Sequence, residues 1–229
     1  MLTASAALTK HHAPIAYDLF NGDADGLCAV HQWRLAKPSD ALLLTGAKRD
    51  IDLFRLLPTG RSLSVTAFDV SFDRNRDGVM QVLQDGGSVR YFDHHAARAL
   101  FEHPQLDAHI DQDAQVCTSL LVDRQLQGRY RAWAAVAAFG DNLPAVGKRL
   151  ASEIGCSARE SAALRKLGEL LNYNAYGETV ADLHLHPAAL YKAMKGFDEP
   201  LDFVERSEEF QNLDDGFESD QSERLGLKA

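Results

Sequence analysis

Three short stretches of this chain end in residues suited to one task. The apolar run Ser88-Val89-Arg90-Tyr91-Phe92 stops at Asp93-His94-His95. The run Ile15 to Phe20 stops at Asn21-Gly22-Asp23-Ala24-Asp25-Gly26, and Ser62 to Val70 carries Asp69 near its end. Neighbouring residues of a strand face opposite ways, so packing does not call for an aspartate followed by two histidines. Carboxylates gathered in one place repel one another unless a cation neutralises them. The economical occupant is a divalent metal held by oxygen and imidazole. Aspartates with a single histidine per ion suit Mn²⁺ or Mg²⁺ better than zinc, which more often takes His and Cys. An aspartate bridging two ions about 3.5 to 4 Å apart makes a site that generates hydroxide and clamps a phosphoryl group. Phosphoester cleavage is the natural chemistry.

The elements that must position these residues alternate along the chain. Strands are read at Ile15 to Phe20, Ala41 to Thr45, Ser62 to Val70, Val89 to Phe92 and Leu106 to Ile110. Helices are read at Leu27 to Ala36, Ile51 to Leu57, around Val79 to Leu83, and Thr118 to Leu126. This order predicts an α/β fold: an open, mostly parallel sheet with helices on both faces. Ligands of such sheets sit outside the carboxyl ends of the strands. The three acidic strand ends fall on that rim.

At this point the sequence resembles the DHH phosphoesterases, named for Asp-His-His. The superfamily includes RecJ-type single-strand exonucleases, short-oligonucleotide hydrolases, cyclic dinucleotide phosphodiesterases and manganese pyrophosphatases. The resemblance covers roughly the first two thirds of the chain in four ordered motifs. These are Asp23-Ala24-Asp25-Gly26, Asp69, Asp93-His94-His95, and Asp141 within Phe139-Gly140-Asp141-Asn142. Val116-Cys117-Thr118-Ser119 is similar to the small-residue helix start between the last two motifs. The resemblance implies two ions, one on Asp23 and Asp69, the other on Asp25, Asp69, His94 and Asp141, with Asp69 as the bridge. It implies that His95 donates to the substrate phosphate and that Asp93 orients an imidazole.

The chain departs from the family pattern in three places. Leu19 stands where many of the phosphodiesterases have a histidine, and Asn21 where the exonuclease branch has a further aspartate. The neutral Asn21 is expected to weaken the first ion's site. No glycine-rich segment of a second, substrate-gripping domain follows Asp141, so processive exonuclease action is not expected. Residues 1–145 are read as the metal-binding α/β domain, 146–197 as a helical extension, and 198–229 as an acidic tail or peripheral helix.

Within the extension, helices are expected at Val146 to Ile154 and, opened by Ser157 and Glu160 as a capping box, through Leu171. The turn Asn172-Tyr173-Asn174-Ala175-Tyr176-Gly177 is read as a packed corner, or as a lip where Tyr173 or Tyr176 stacks on a nucleobase. His184 and His186 are read as solvated or capping before Pro187. Lys48, Arg49, Arg74, Arg76 and Arg98 fall in rim loops as solvated charges, one or two within reach of phosphate. Phe203, Phe210 and Phe217 recur every seven residues, as a weakly amphipathic helix would place them. His11-His12 belongs to the N-terminal arm.

Composition narrows the partners. Net charge is −9 over 229 residues, but the body is almost neutral because 11 of the 33 acidic residues lie from Asp198 onward. No basic face exists to hold long nucleic acid by bulk electrostatics. Cys28, Cys117 and Cys156 have no CxxC spacing, which excludes a disulfide framework and a structural zinc site. No apolar run approaches ~18 residues, and no secretory signal is read, so a cytoplasmic location without membrane association is expected. The reading is a Mn²⁺-dependent phosphoesterase acting on a short oligonucleotide or dinucleotide. The alternatives are a family member that binds a nucleotide or protein partner without hydrolysis, and a pyrophosphatase or phosphomonoesterase. A homodimer is compatible with this reading.

Overall fold

A computed structural model of the chain describes residues 13–98 and 100–226, with the side chains of residues 224 and 225 left aside; His11-His12 lies outside this range. Strands β1 (Ile15–Phe20), β2 (Leu42–Thr45), β3 (Leu63–Phe68), β4 (Ser88–Asp93) and β5 (Leu106–Ile110) make one sheet in the order β2-β1-β3-β4-β5. Every neighbouring pair is parallel. The order reverses between β1 and β3. The connections that leave these two strands pass to opposite faces, and a crevice opens between their carboxyl ends.

Alternation along the strands builds a core on each face. Leu19, Ala67 and Tyr91 point to the side covered by α2 (Phe72–Gln84). Phe20, Phe68 and Phe92 point to the side covered by α1 (Ala24–Ala36). Parallel register aligns Phe20, Phe68, Phe92 and His109 in a single row across the sheet. Phe68 and Phe92 stack with centroids 5.6 Å apart, and Phe92 and His109 with centroids 4.7 Å apart. Trp33 of α1 closes over the row, 5.2 Å from Phe92. The residues immediately beyond this apolar row are Asn21, Asp69 and Asp93. The rings form a dry floor, and the acidic rim stands on it.

Seven further helices complete the described residues: α3 (Thr118–Gln125), α4 (Arg131–Gly140), α5 (Pro144–Glu153), α6 (Ala158–Asn174), α7 (Pro187–Met194), α8 (Pro200–Arg206) and α9 (Glu208–Gly226). Sequence periodicity does not reveal α4. Its residues from Trp133 to Gly140 are buried all round, so no polar stripe marks a face. A Cβ on Gly168 of α6 would collide with the Val136 carbonyl of α4, and one on Gly140 with Ala24 of α1. This close crossing brings the end of α4 against the start of α1. The expected helix at Ile51 to Leu57 is only a 3₁₀ turn, Phe54–Leu56. The segment is too short to propagate before Pro58, and the Asn75 side chain meets its backbone at Phe54 N (3.0 Å) and Ile51 O (2.6 Å).

The phenylalanine repeat falls on two helices rather than one. Ser207 interrupts it, its hydroxyl accepting from Phe210 N at 3.2 Å as an N-cap. Phe203 of α8 is fully buried beside Trp133, Phe197 and Phe210. One apolar cluster runs from Phe20 to Leu213 and includes residues of α4, α6, α8 and α9. No helix among the described residues is long and apolar enough to cross a membrane.

His31 of α1 ties the C-terminal helices to this core. Its ring lies edge-on to Trp133 with centroids 4.5 Å apart, and its Nε2 donates to Phe197 O at 2.9 Å. Burial pushes its pKa down to about 4. An unfolded histidine titrates near ~6.5, so below that pH the unfolded chain gains a proton that the folded chain refuses, and stability falls with pH down to the folded value. Between about pH 7 and pH 5 this one residue is expected to remove about 2 kcal/mol. Urea unfolding of the wild type and His31→Gln at both pH values checks it. The variant should lose less stability between them, whereas equal losses would contradict the assignment.

Candidate metal centre

The loop that leaves β1 turns on Asp23. Its Oδ1 accepts from the backbone N–H of Asp25 (3.1 Å) and of Gly26 (3.2 Å), capping α1 three residues earlier than apolar periodicity places the helix start. Asp25 is thereby carried into the first turn and buried. Its carboxylate accepts the N–H groups of Thr118 at 2.6 Å and Ser119 at 2.7 Å, which open α3. A helix N-terminus presents unsatisfied donors and a partial positive charge, and here it receives a carboxylate. The small-residue stretch flagged in the sequence therefore holds Asp25 in place.

Asp69 continues the ladder, its N–H donating to Phe92 O at 3.0 Å. It then turns the chain at φ 57°, a left-handed conformation that aspartate tolerates better than most residues. Thr118 Oγ1 donates to its Oδ1 at 3.1 Å. Asp93 lies wholly buried at the end of β4, its Oδ2 accepting from Phe72 N at 3.0 Å. Its Oδ1 meets His95 Nδ1 at 2.6 Å and His95 N at 3.1 Å. That hydrogen bond raises the His95 pKa against the opposing effect of burial. Asp93 orients the His95 imidazole.

His94 carries the strongest mark of a metal ligand. Its Nδ1 lies 2.9 Å from Val116 O, which requires Nδ1 to carry the proton. The Nε2 of the same ring faces Asp69 Oδ1 at 3.4 Å, Asp141 Oδ2 at 3.8 Å and Asp25 Oδ2 at 3.9 Å. These atoms are spaced like ligands round one ion. Asp141 arrives as the C-cap of α4, its N–H on Ala137 O at 2.8 Å. Potential donor atoms of Asp25, His94 and Asp141 lie within 4.8 Å of one another, as do those of Asp69, His94 and His95. The charges demand neutralisation. Burial, with Asp25 as the first contributing charge, raises Asp69 well above the carboxylate range and pushes Asp141 up to about 7. Oxygen and imidazole donors, with buried Cys28 and Cys117 outside both groups, fit a hard divalent ion.

Of the residues singled out in the sequence, Asp25, Asp69, His94 and Asp141 meet in one place, with Asp93 and His95 adjoining. Asp23 lies beside them, its carboxyl within hydrogen-bonding reach of Asp69 as well as of Lys48. Its Oδ2 is 2.7 Å from Lys48 Nζ, and this ammonium offsets burial and holds the Asp23 carboxyl below its ordinary range. Lys48, expected among the solvated rim charges, is instead paired with Asp23. Its signal was its position, three residues beyond the end of β2 on the same rim. Leu19, where a histidine stands in many of the phosphodiesterases, is a fully buried core residue. His186 caps α7, with Ala188 N donating to its Nδ1 at 3.1 Å. Tyr173 packs on Phe217 and His184 and bonds Asp220, whereas Tyr176 is 64% exposed.

No family model and no curated protein matches the chain. Solved structures do. The DHH domain of a member of the s1p family of ribosomal proteins matches with a TM-score of 0.55 at 15% identity, over 93% of this chain and 57% of its own length. The exonuclease RecJ bound to manganese matches with a TM-score of 0.55 at 13% identity, over 93% of this chain and 62% of its own. The chain has the DHH-domain fold. It spans about six tenths of the length of each of these two structures.

Neutralising Asp69 tests whether the cluster is suited to a cation. In EDTA at neutral pH, Asp69→Asn is expected to stabilise the protein by about 1–3 kcal/mol through relieved repulsion and desolvation. The amide keeps an acceptor for Thr118 and suits φ 57°. Mn²⁺ at a hundredfold excess over Kd should stabilise the wild type by about 2.7 kcal/mol and the variant much less. Calorimetric melts measure both effects. An Asp69→Asn variant less stable than the metal-free wild type would contradict the electrostatic account.

Proposed function

We propose that this chain is a metal-dependent phosphoesterase that cleaves a small phosphodiester, such as a short oligonucleotide or a dinucleotide. Asp25, Asp69, His94 and Asp141 hold Mn²⁺, with Mg²⁺ as the alternative ion. The observation that carries the reading is the His94 Nε2, fixed by the Nδ1 contact to Val116 O and facing three carboxylates. The fold likeness to an exonuclease bound to manganese supports the same chemistry. When bound, the metal polarises the phosphoryl group and makes water a nucleophile at neutral pH.

The chain's own residues supply the rest. His95, with its raised pKa and its ring set by Asp93, donates to a non-bridging phosphate oxygen as negative charge grows there. Lys48 adds a fixed positive charge to the same rim. A groove of about 450 Å³ runs past Asn142, Arg165, Asn172 and Tyr176, next in sequence and space to Asp141. Tyr176 offers a face for a nucleobase; the charge of Arg165 is already paired with Glu169 of the same groove at 2.7 Å. The near-neutral body suits a short substrate better than a long one.

Hydrolysis of short oligoribonucleotides, cyclic dinucleotides, pyrophosphate and a chromogenic phosphodiester, with Mn²⁺ and with EDTA, tests this reading. Turnover should require Mn²⁺, vanish in Asp69→Asn, and fall about 10²–10³-fold in kcat in His95→Gln. On the nucleotide substrate, Tyr176→Ala should raise KM by about tenfold, from loss of a stacked base, with a smaller effect on kcat. No turnover of any substrate by folded, metal-loaded protein would move the reading to a nucleotide-binding module without hydrolysis.

A further inference from the structure

We infer that the centre holds one divalent ion, and that the Lys48 ammonium stands where a second ion would meet Asp23. The inference rests on the metal-centre reading above and concerns how many ions that centre takes. Among the described residues, both groups of three potential donor side chains whose atoms lie within 4.8 Å of one another contain His94, and neither contains Asp23. Both oxygens of Asp23 have partners, as do those of Asp25, but only at Asp23 is one of those partners a cation. Oδ1 receives two backbone N–H groups at the start of α1, and Oδ2 pairs with Lys48 Nζ at 2.7 Å. An ion set between Asp23 and Asp69, whose carboxyls are within hydrogen-bonding reach, would have to share the Asp23 carboxylate with the lysine or displace it.

The lysine is held from several sides. Its backbone N–H donates to Ala175 O at 3.0 Å, and its Nζ to Asn172 Oδ1 at 2.9 Å, both at the C-terminal end of α6. Its backbone carbonyl accepts from Asn21 Nδ2 at 3.3 Å, while Asn21 Oδ1 accepts from Asp23 N at 3.3 Å. This arrangement accounts for asparagine at position 21. An ionised aspartate has no N–H to offer the Lys48 carbonyl, so the residue that would serve a second ion is replaced by one that holds the lysine. A lysine ammonium and a divalent ion sharing one carboxylate would repel strongly at this separation. Two of the three ammonium N–H groups serve Asp23 and Asn172. The third is left for a phosphate oxygen, beside Tyr176, whose ring centre is 5.4 Å away.

Mn²⁺ titration by calorimetry, with electron paramagnetic resonance of the loaded protein, tests the inference without an activity assay. The wild type should bind one ion and show no spin-coupled pair. Lys48→Gln should bind a second ion, at a Mn²⁺ concentration at least about tenfold below any second binding to the wild type, and show the coupled spectrum. Asp23→Asn keeps the cap acceptor and should still bind one ion. Two ions in the wild type, or loss of the ion in Asp23→Asn, would overturn the inference while leaving the metal centre standing. Folded Lys48→Gln that still binds only one ion would overturn the role of Lys48. A wild type that binds no Mn²⁺ would overturn the metal-centre reading and this inference with it.

Discussion

Asp25 and Asp69 lie buried beside Asp141 and Asp93, at the carboxyl ends of parallel strands where the strand order reverses. Like charges this close disfavour one another's ionisation, and burial removes the water that would screen them. A folded chain keeps them together only by supplying compensation for each. The α3 N-terminus serves Asp25, the Phe72 N–H and His95 serve Asp93, and Lys48 serves Asp23. Asp69 receives one hydroxyl and Asp141 stands near His94. These two are the carboxyls that a bound cation would neutralise.

Much of the architecture can be understood as holding this arrangement rigid. The fully buried rings of Phe20, Phe68 and Phe92 exclude water beneath the rim. The Gly140 and Gly168 crossing lets the end of α4 approach α1, so that Asp141 reaches a centre otherwise built from the first half of the chain. The C-terminal helices contribute through α6, whose final turn offers Asn172 and Ala175 to Lys48. Sheet, buried helix and extension thus each fix one part of the rim.

The sheet and the acidic rim were legible in sequence because both obey short-range rules. Alternating apolar strands end in Asp23, Asp69 and Asp93, and such sheets use their carboxyl rim for ligands. Asp141 was reached through its motif rather than any physical pattern, since α4 lacks the polar stripe that reveals a helix. Lys48 was missed because its partners, Asp23 and Asn172, lie far from it in sequence, and a lone loop lysine is usually solvated. Asn21 was legible only as a departure. Its purpose depends on the carbonyl of Lys48, which the sequence does not place.

Anomalous scattering from crystals grown with Mn²⁺ tests the central claim most directly. The account requires a manganese peak among the carboxylates of Asp25, Asp69 and Asp141 and the Nε2 of His94. A fully loaded crystal with no peak there, or with its peak elsewhere on the protein, would contradict it.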